Sequence, residues 1–360
     1  MAAGPQIIEL SSVPGFVVFD MPGAAMSAGG TRLAPDVSVA EVALLARAMT
    51  YKYGVLGVQV GGAKAGVRGN PADPGKAALM ARFCAEIRPM ADEGRLLTGP
   101  DMGTAEEDFA LLRENRAVPG AISAVVDGVP FEDVLTGYGV AAAAAAALDA
   151  RSGGGWDGCG VAIEGFGKVG GGVAIEVVRR GGRVVAVSTL AGCLADPDGL
   201  DVERLLALRR SHGDDCVTRY GLAVEPAARL FSVDADVVVP GTRPGAIDFR
   251  VAGGLPAGVR VVAPAANVPY TAAGAEVLRS RGITALPDFV CNAGAVLGYR
   301  SAPDAEPAEV LAAVGATIGE LTGELLGHPE GPLVAGFERA ASFVRGWWGE
   351  PPGPPFAPEG

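Results

Sequence analysis

Lysine is rare in this chain. It occurs only at Lys52, Lys64, Lys76 and Lys168, while the other 25 of the 29 Lys and Arg residues are arginine. Lys52 and Lys64 bracket a Gly-rich apolar stretch, "KYGVLGVQVGGAK", in which Gly61 and Gly62 bring bare backbone close to whatever sits there. Two ammonium groups converging on one cleft repel each other, and burial penalises their charge further. One of them can then lose its proton near neutrality while the other stays charged, which arginine cannot do. The pair reads as acid–base and electrostatic chemistry. Asp101 in "TGPDMGT" (98–104) is on its own equally a turn residue; beside two such lysines it reads as a proton relay.

A second chemical motif is "GFGKVG", with Gly165, Gly167 and Gly170 in G-x-G-x-x-G spacing around Phe166, Lys168 and Val169. A bare match is weak, and a Gly-rich turn in a chain of 54 glycines is the plain alternative. Here, however, the motif follows an apolar strand, opens a helix and precedes a second strand, the setting a pyrophosphate needs at a helix N-terminus. That second strand ends in Ser188 and Thr189 where a ribose-binding acid would stand, and no arginine follows at once to hold a 2′-phosphate. The cofactor is thus expected to be NAD or NADP, with the choice between them open.

The patterning predicts what holds these residues. "GFVVFDM" (15–21) reads as a strand. "SVAEVALLARAMTYKY" (38–53) starts with Ser38 and Glu41 at capping-box spacing, so Lys52 falls near a helix end and Lys64 just after a strand "GVQV" (57–60). Asp73 as N-cap with Pro74 behind it predicts a second helix, and Thr104 with Glu107 a third. From about residue 130 helices alternate with strands apolar on both faces, including stretches at 235–241, 259–267 and 283–290. That is the pattern of a parallel sheet covered on both sides. The Ala run at 140–148 is too short to span a bilayer and reads as a helix against which something packs closely. Two more helices follow residue 300, and the Pro-rich end (350–360) reads as a disordered tail.

Composition narrows the classes. At 360 residues, 49% hydrophobic and 19% charged, the chain is expected to form two globular domains. A net charge of −12 without a basic stripe argues against nucleic acid as a partner. The five scattered cysteines and two distant histidines signal neither a disulfide framework nor a metal site. With no signal-peptide pattern at the start, and no membrane partner indicated, a cytoplasmic location is the expectation.

The motifs "GGTR" (29–32), "DVSVAEV", "MTYK" (49–52), "GGAKAGV" (61–67), "PDMGT" (100–104), "TGYGV" (136–140), "GFGKVG", "AAN" (265–267) and "CNAGAV" (291–296) come in a characteristic order. In it the chain resembles, over roughly residues 15–300, the amino-acid dehydrogenases that act on glutamate, leucine, phenylalanine and valine. The resemblance implies an α/β fold in two parts: an N-terminal α/β substrate and oligomerisation domain (1–130), and a Rossmann-type doubly wound dinucleotide-binding domain (131–300). C-terminal helices (301–349) then pack back on the first domain. It also implies reversible oxidative deamination of an L-amino acid to a 2-oxo acid and ammonia, by a homo-oligomer built through the N-terminal domain. In that scheme Lys64 is the catalytic lysine, Lys52 holds the substrate carboxylate and Asp101 exchanges protons with the amine. Gly29, Gly30 and Val296 fall at substrate positions, and Thr136, Asn267 and Asn292 near the nicotinamide half of the cofactor.

The chain also departs from the family pattern. Glutamate-specific members carry a lysine directly before the "GG" of the first motif, where this chain has Ala28. A side-chain carboxylate left unpaired there is costly, so glutamate is disfavoured. Gly99 is small where alanine is common, and Tyr299 falls on a further pocket position. The expected substrate therefore has a neutral side chain, bulky or non-standard. A glutamate dehydrogenase with an altered pocket stays open, as does a catalytically silent dinucleotide-binding paralogue acting as sensor or scaffold, although Lys52, Lys64 and Asp101 together speak against the latter. A 2-hydroxy-acid dehydrogenase would want a histidine acid/base, and neither His212 nor His328 has a site-like context.

Overall fold

In the computed structural model, which describes residues 4–113, 119–126 and 129–359, the chain divides into two units. One comprises Met1–Ala117 with Phe337–Pro355, the other Val118–Gly336 with Phe356–Gly360.

The first unit contains β1 (Gln6–Glu9), β2 (Gly15–Phe19), β3 (Ser27–Ala28), β4 (Thr31–Ala34), α1 (Val39–Val55), β5 (Gly61–Arg68), α2 (Lys76–Asp92) and β6 (Leu96–Leu97), followed by a 3₁₀ turn (Glu106–Phe109) and α3 (Ala110–Arg113). The strands form one sheet in the order β1-β2-β5-β3-β6, with β4 also on β5. At its centre β5 is buried along all but its last residue, antiparallel to β2 and parallel to β3 and β4. Ser38 Oγ accepts the Glu41 N–H at 3.2 Å, so α1 starts where its cap predicts.

Three local expectations differ from the structure. Lys64 lies inside a strand, because β5 begins at Gly61 rather than spanning 57–60. The cause is tertiary: a Cβ on Gly62 would stand 1.9 Å from Ala46 O, so only glycine lets the strand pass beneath α1. Asp73 does not cap α2. Its Oδ1 accepts the Gly75 N–H at 2.6 Å in a side-chain turn, and the helix starts at Lys76. Thr104 is no cap either; the 3₁₀ turn is preceded by Ala105, whose N–H Asp108 accepts at 2.8 Å from within the turn.

The second unit contains β7 (Val125–Val126), β8 (Val129–Pro130), α4 (Phe131–Ser152), β9 (Gly160–Ile163), α5 (Lys168–Arg179), β10 (Arg183–Thr189), β11 (Gly192–Ala195), α6 (Val202–His212), α7 (Cys216–Arg219), β12 (Val224–Glu225), β13 (Val237–Val239), α8 (Phe249–Gly254), β14 (Val261–Val262), α9 (Ala272–Ser280), β15 (Thr284–Ala285), α10 (Asp288–Cys291), α11 (Gly294–Gly298) and α12 (Pro307–Leu326). Its main sheet runs β12-β11-β10-β9-β13-β14-β15. The five strands from β10 to β15 are parallel, and β11 and β12 add an antiparallel edge. Of the stretch expected as a strand at 283–290, only β15 is extended; the rest turns into α10.

The helix that carries the Ala run is closely packed. On α4 a Cβ at Gly137 would meet Gly172 of α5 at 2.6 Å, and one at Gly139 would meet Ile318 of α12 at 2.6 Å. This 22-residue helix is long and apolar enough to cross a membrane, but its apolar window is two-thirds buried inside the unit. Helix α12 stays on α4, whereas the last helix, α13 (Pro332–Trp347), belongs to the first unit from Phe337 onward. There Ala340 sits against Gly54, and the Phe337 ring meets Tyr51 edge-on at 5.5 Å. The Pro-rich tail is ordered where disorder was expected, because its carbonyls and small side chains find partners. Pro352 O accepts the Tyr51 hydroxyl at 2.7 Å, and Ala357, 5% exposed, donates its N–H to Tyr270 O.

Candidate active site

In the first unit the site grows from β5. Its register against β4 sets Thr31 beside Ala65 and Arg32 beside Gly66, so the side chains of Lys64 and Arg32 approach one point. Asp101 occupies that point. Its Oδ1 lies 3.1 Å from Lys64 Nζ and its Oδ2 3.0 Å from Arg32 Nε, and Arg32 also pairs with Glu41. Thr104 fixes the loop: its Oγ1 accepts the Asp101 N–H at 2.9 Å and donates to Thr31 O at 2.9 Å. Burial raises the Asp101 carboxyl pKa, but Lys64 and Arg32 overrule it and hold the group down at about 2.

Glycines clear the space around this pair. A Cβ on Gly30 would lie 3.3 Å from Lys64 Nζ and 3.0 Å from Asp101 Cβ, and one on Gly29 would overlap Ala63 O at 1.8 Å. Gly99 O accepts the Thr31 N–H, and Ala28 pairs with Gly62 in β3 and is buried. Lys52 is in the last turn of α1, only 5% exposed. Two residues before it Thr50 ties the helix to the sheet, donating to Asp20 Oδ2 at 2.7 Å and accepting the Gly62 N–H at 3.0 Å. Burial raises the Asp20 carboxyl, against the pull of Arg47.

In the second unit the three motif glycines differ in a way that fits a dinucleotide. Gly165 has φ 83°, the tight turn; a Cβ on Gly167 would meet nothing within 4 Å; and one on Gly170 would strike Gly165 O at 2.1 Å. The open side of the turn is therefore at Gly167, the residue that precedes α5 and its first N–H groups. Phe166 is buried under the turn, Val169 is half-buried, and Lys168 is exposed with Nζ 3.7 Å from Asp133 of α4. Burial raises the Asp133 carboxyl and Lys168 opposes it.

Ser188 and Thr189 are spent inside the protein. Ser188 Oγ lies 3.4 Å from the Gly165 N–H it accepts, and Thr189 Oγ1 donates to Asp214 O at 2.7 Å. Asn267 and Asn292 are brought together, Nδ2 of Asn292 donating to Oδ1 of Asn267 at 3.1 Å. Thr136 donates back to Glu132 O on α4. Tyr299 donates its hydroxyl to Glu132 Oε2 at 3.0 Å, while Val296 is half-buried on α11. His212 is exposed, and His328 accepts a turn N–H from Glu330.

Sequence reasoning overlooked the roles of Arg32, Thr104 and Glu132. Arg32 carried a signal, since an arginine two residues after a glycine pair needs an acidic partner once its strand is buried. The other two carried none beyond ordinary cap and turn patterns.

Comparison with known proteins gives two matches to family models. Glu/Leu/Phe/Val dehydrogenase, dimerisation domain, matches residues 16–117, and Glutamate/Leucine/Phenylalanine/Valine dehydrogenase matches residues 128–299. The glutamate dehydrogenase of Thermotoga maritima is 34% identical over 286 residues, 74% of this chain and 67% of that protein. That of Aeropyrum pernix is 32% identical over 281 residues, 75% and 66%. The chain thus spans about two-thirds of the length of the curated relatives it matches. Among solved structures, the hetero-hexameric glutamate dehydrogenase from Thermus thermophilus in its Leu-bound form superposes with a TM-score of 0.77 at 25% identity, over 95% of this chain and 88% of that one. L-tryptophan dehydrogenase from Nostoc punctiforme shares the fold, with a TM-score of 0.64 at 20% identity over 95% and 97%.

Proposed function

The chain belongs to the glutamate/leucine/phenylalanine/valine dehydrogenase family, and from that premise we propose that it is an NAD- or NADP-dependent L-amino-acid dehydrogenase. The observation that carries this reading is the contact of Lys64 Nζ with Asp101 at 3.1 Å, in a space kept clear by Gly30. A lysine and a carboxylate in contact can pass a proton to and from an amine and a water molecule. Lys52 anchors the substrate α-carboxylate. Asp101, held ionised, takes a proton from the substrate ammonium and so frees the amine lone pair. Lys64 then orients and activates the water that attacks the iminium carbon, and collapse of the carbinolamine gives the 2-oxo acid and ammonia.

The glycine turn Gly165–Gly170 and the first turn of α5 hold the dinucleotide, with Asn267, Asn292 and Thr136 toward its nicotinamide end. The bound coenzyme supplies the hydride acceptor. No carboxylate ends β10, so the choice between NAD and NADP is left to the assay. The protein is proposed to act in the cytoplasm as a homo-oligomer built through its first unit, in keeping with the dimerisation-domain match.

For the substrate we favour a neutral side chain over glutamate, because Ala28 offers no cation to a second carboxylate. The names of the curated relatives favour glutamate instead. Following coenzyme reduction with each L-amino acid, and NAD and NADP in separate series, decides between them. Turnover of a neutral amino acid well above glutamate is expected; a glutamate preference overturns the specificity, and no turnover with any amino acid overturns the function.

A further inference from the structure

Val268 has a φ of 54°, the one positive value at a non-glycine residue among the described residues. For a β-branched side chain this is a true outlier, and Pro269 behind it restricts the residue further. Such strain persists only where the surroundings over-determine it. Here the restraint is α10. Asp288, its first residue and only 3% exposed, accepts the Val268 N–H on Oδ2 at 2.8 Å. One turn later Asn292 donates from Nδ2 to Ala265 O and to Asn267 Oδ1, each at 3.1 Å. From the opposite side Gly245 donates its N–H to Val268 O at 2.9 Å. The strained segment follows β14, at the carboxyl edge of the parallel sheet where folds of this kind take their ligands.

We propose that Asp288 is a positioning residue for the coenzyme: its carboxylate holds Val268 in the left-handed conformation and so fixes the direction in which Asn267 is presented. This rests on the reading of Asn267 as a nicotinamide neighbour. Asn292 orients the Asn267 side chain, and Asp288 sets the backbone from which it projects. A charged acceptor suits the task because its hydrogen bond is the stronger kind.

The test is a double-mutant cycle on the dissociation constant of reduced coenzyme, NADH and NADPH each titrated by fluorescence, with melting temperatures read in parallel. Asp288→Ala is expected to weaken binding about tenfold, the size of a lost charge-assisted hydrogen bond. In a Val268→Gly background, where the left-handed backbone needs no restraint, the same change is expected to cost less than about threefold. Equal losses in both backgrounds, no loss in either, or a lowered melting temperature with unchanged affinity each overturn the proposal. Asn267→Ala separates the two levels: unchanged affinity there removes the nicotinamide role of Asn267 and the proposal with it. Should Asp288→Ala not fold, Asp288→Asn carries the same cycle with about a threefold loss expected, since a neutral acceptor is roughly half as strong, and equal losses again overturn it.

Discussion

Replacing Arg32 with Met removes one of the two cations that face Asp101 and leaves Lys64 in place. Burial lifts the Asp101 carboxyl, and the two cations reverse that, bringing it from 3.8 to about 2. The folded value lies below the unfolded one, so the carboxylate contributes stability that is fully present above about pH 4 and is lost as pH falls toward 2. A depression of about 2 units is worth about 2–3 kcal/mol at neutral pH. A neighbouring arginine lowers an aspartate by about 1–3 units, so without Arg32 the Asp101 value rises toward the unfolded value. Removing one partner of a buried pair costs about 3–5 kcal/mol, and the aliphatic chain of Met preserves most of the packing. Urea unfolding of both proteins at steps from about pH 7 down to about pH 2 measures this. Arg32→Met is expected to be less stable by about 3 kcal/mol at neutral pH, with the gap closing as pH falls through the window from about 4 to 2. Glu41→Gln, which leaves Asp101 untouched, reports the share of the second, more exposed pair. A gap that stays constant with pH refutes the reasoning, since Arg32 would then contribute packing alone.

Lys64→Ala is expected to lower turnover by about 10²–10⁴-fold, as for loss of a general base, with coenzyme binding retained in titration; turnover within about tenfold of wild type would exclude the role. Gly170→Ala sets a methyl 2.1 Å from Gly165 O, which is expected to cost about 1–3 kcal/mol in denaturant unfolding and to weaken coenzyme binding; neutrality on both counts would contradict the packing of the turn. Ala28→Lys is expected to raise kcat/KM for glutamate relative to leucine by at least about tenfold, the scale of one new charge-assisted hydrogen bond, and an unchanged ratio would remove Ala28 as the reason glutamate is disfavoured.

Much of the fold, and the glycine turn of the candidate site, were legible because they rest on short-range rules. The cap at Ser38, the glycine turn before α5 and the alternation of apolar strands with helices depend on residues a few positions apart. The family was legible for the same reason, since its motifs are short and keep their order. Where two short-range rules competed, the sequence could not choose. Asp73 closes a turn instead of a helix, and Thr104 holds the Asp101 loop instead of a cap.

By itself, then, the sequence determined the family, through motifs that read Lys52, Lys64 and Asp101 as an acid–base site and Gly165, Gly167 and Gly170 as a dinucleotide turn. Only the tertiary structure decided that Lys64 lies within a strand, that Arg32 shares Asp101 with it across 69 residues of chain, and that Asp288 accepts the Val268 N–H. Those outcomes depend on the register of β4 against β5 and on the docking of α10 on the loop after β14. Register and docking are fixed by the burial of whole faces, which no window of neighbouring residues contains.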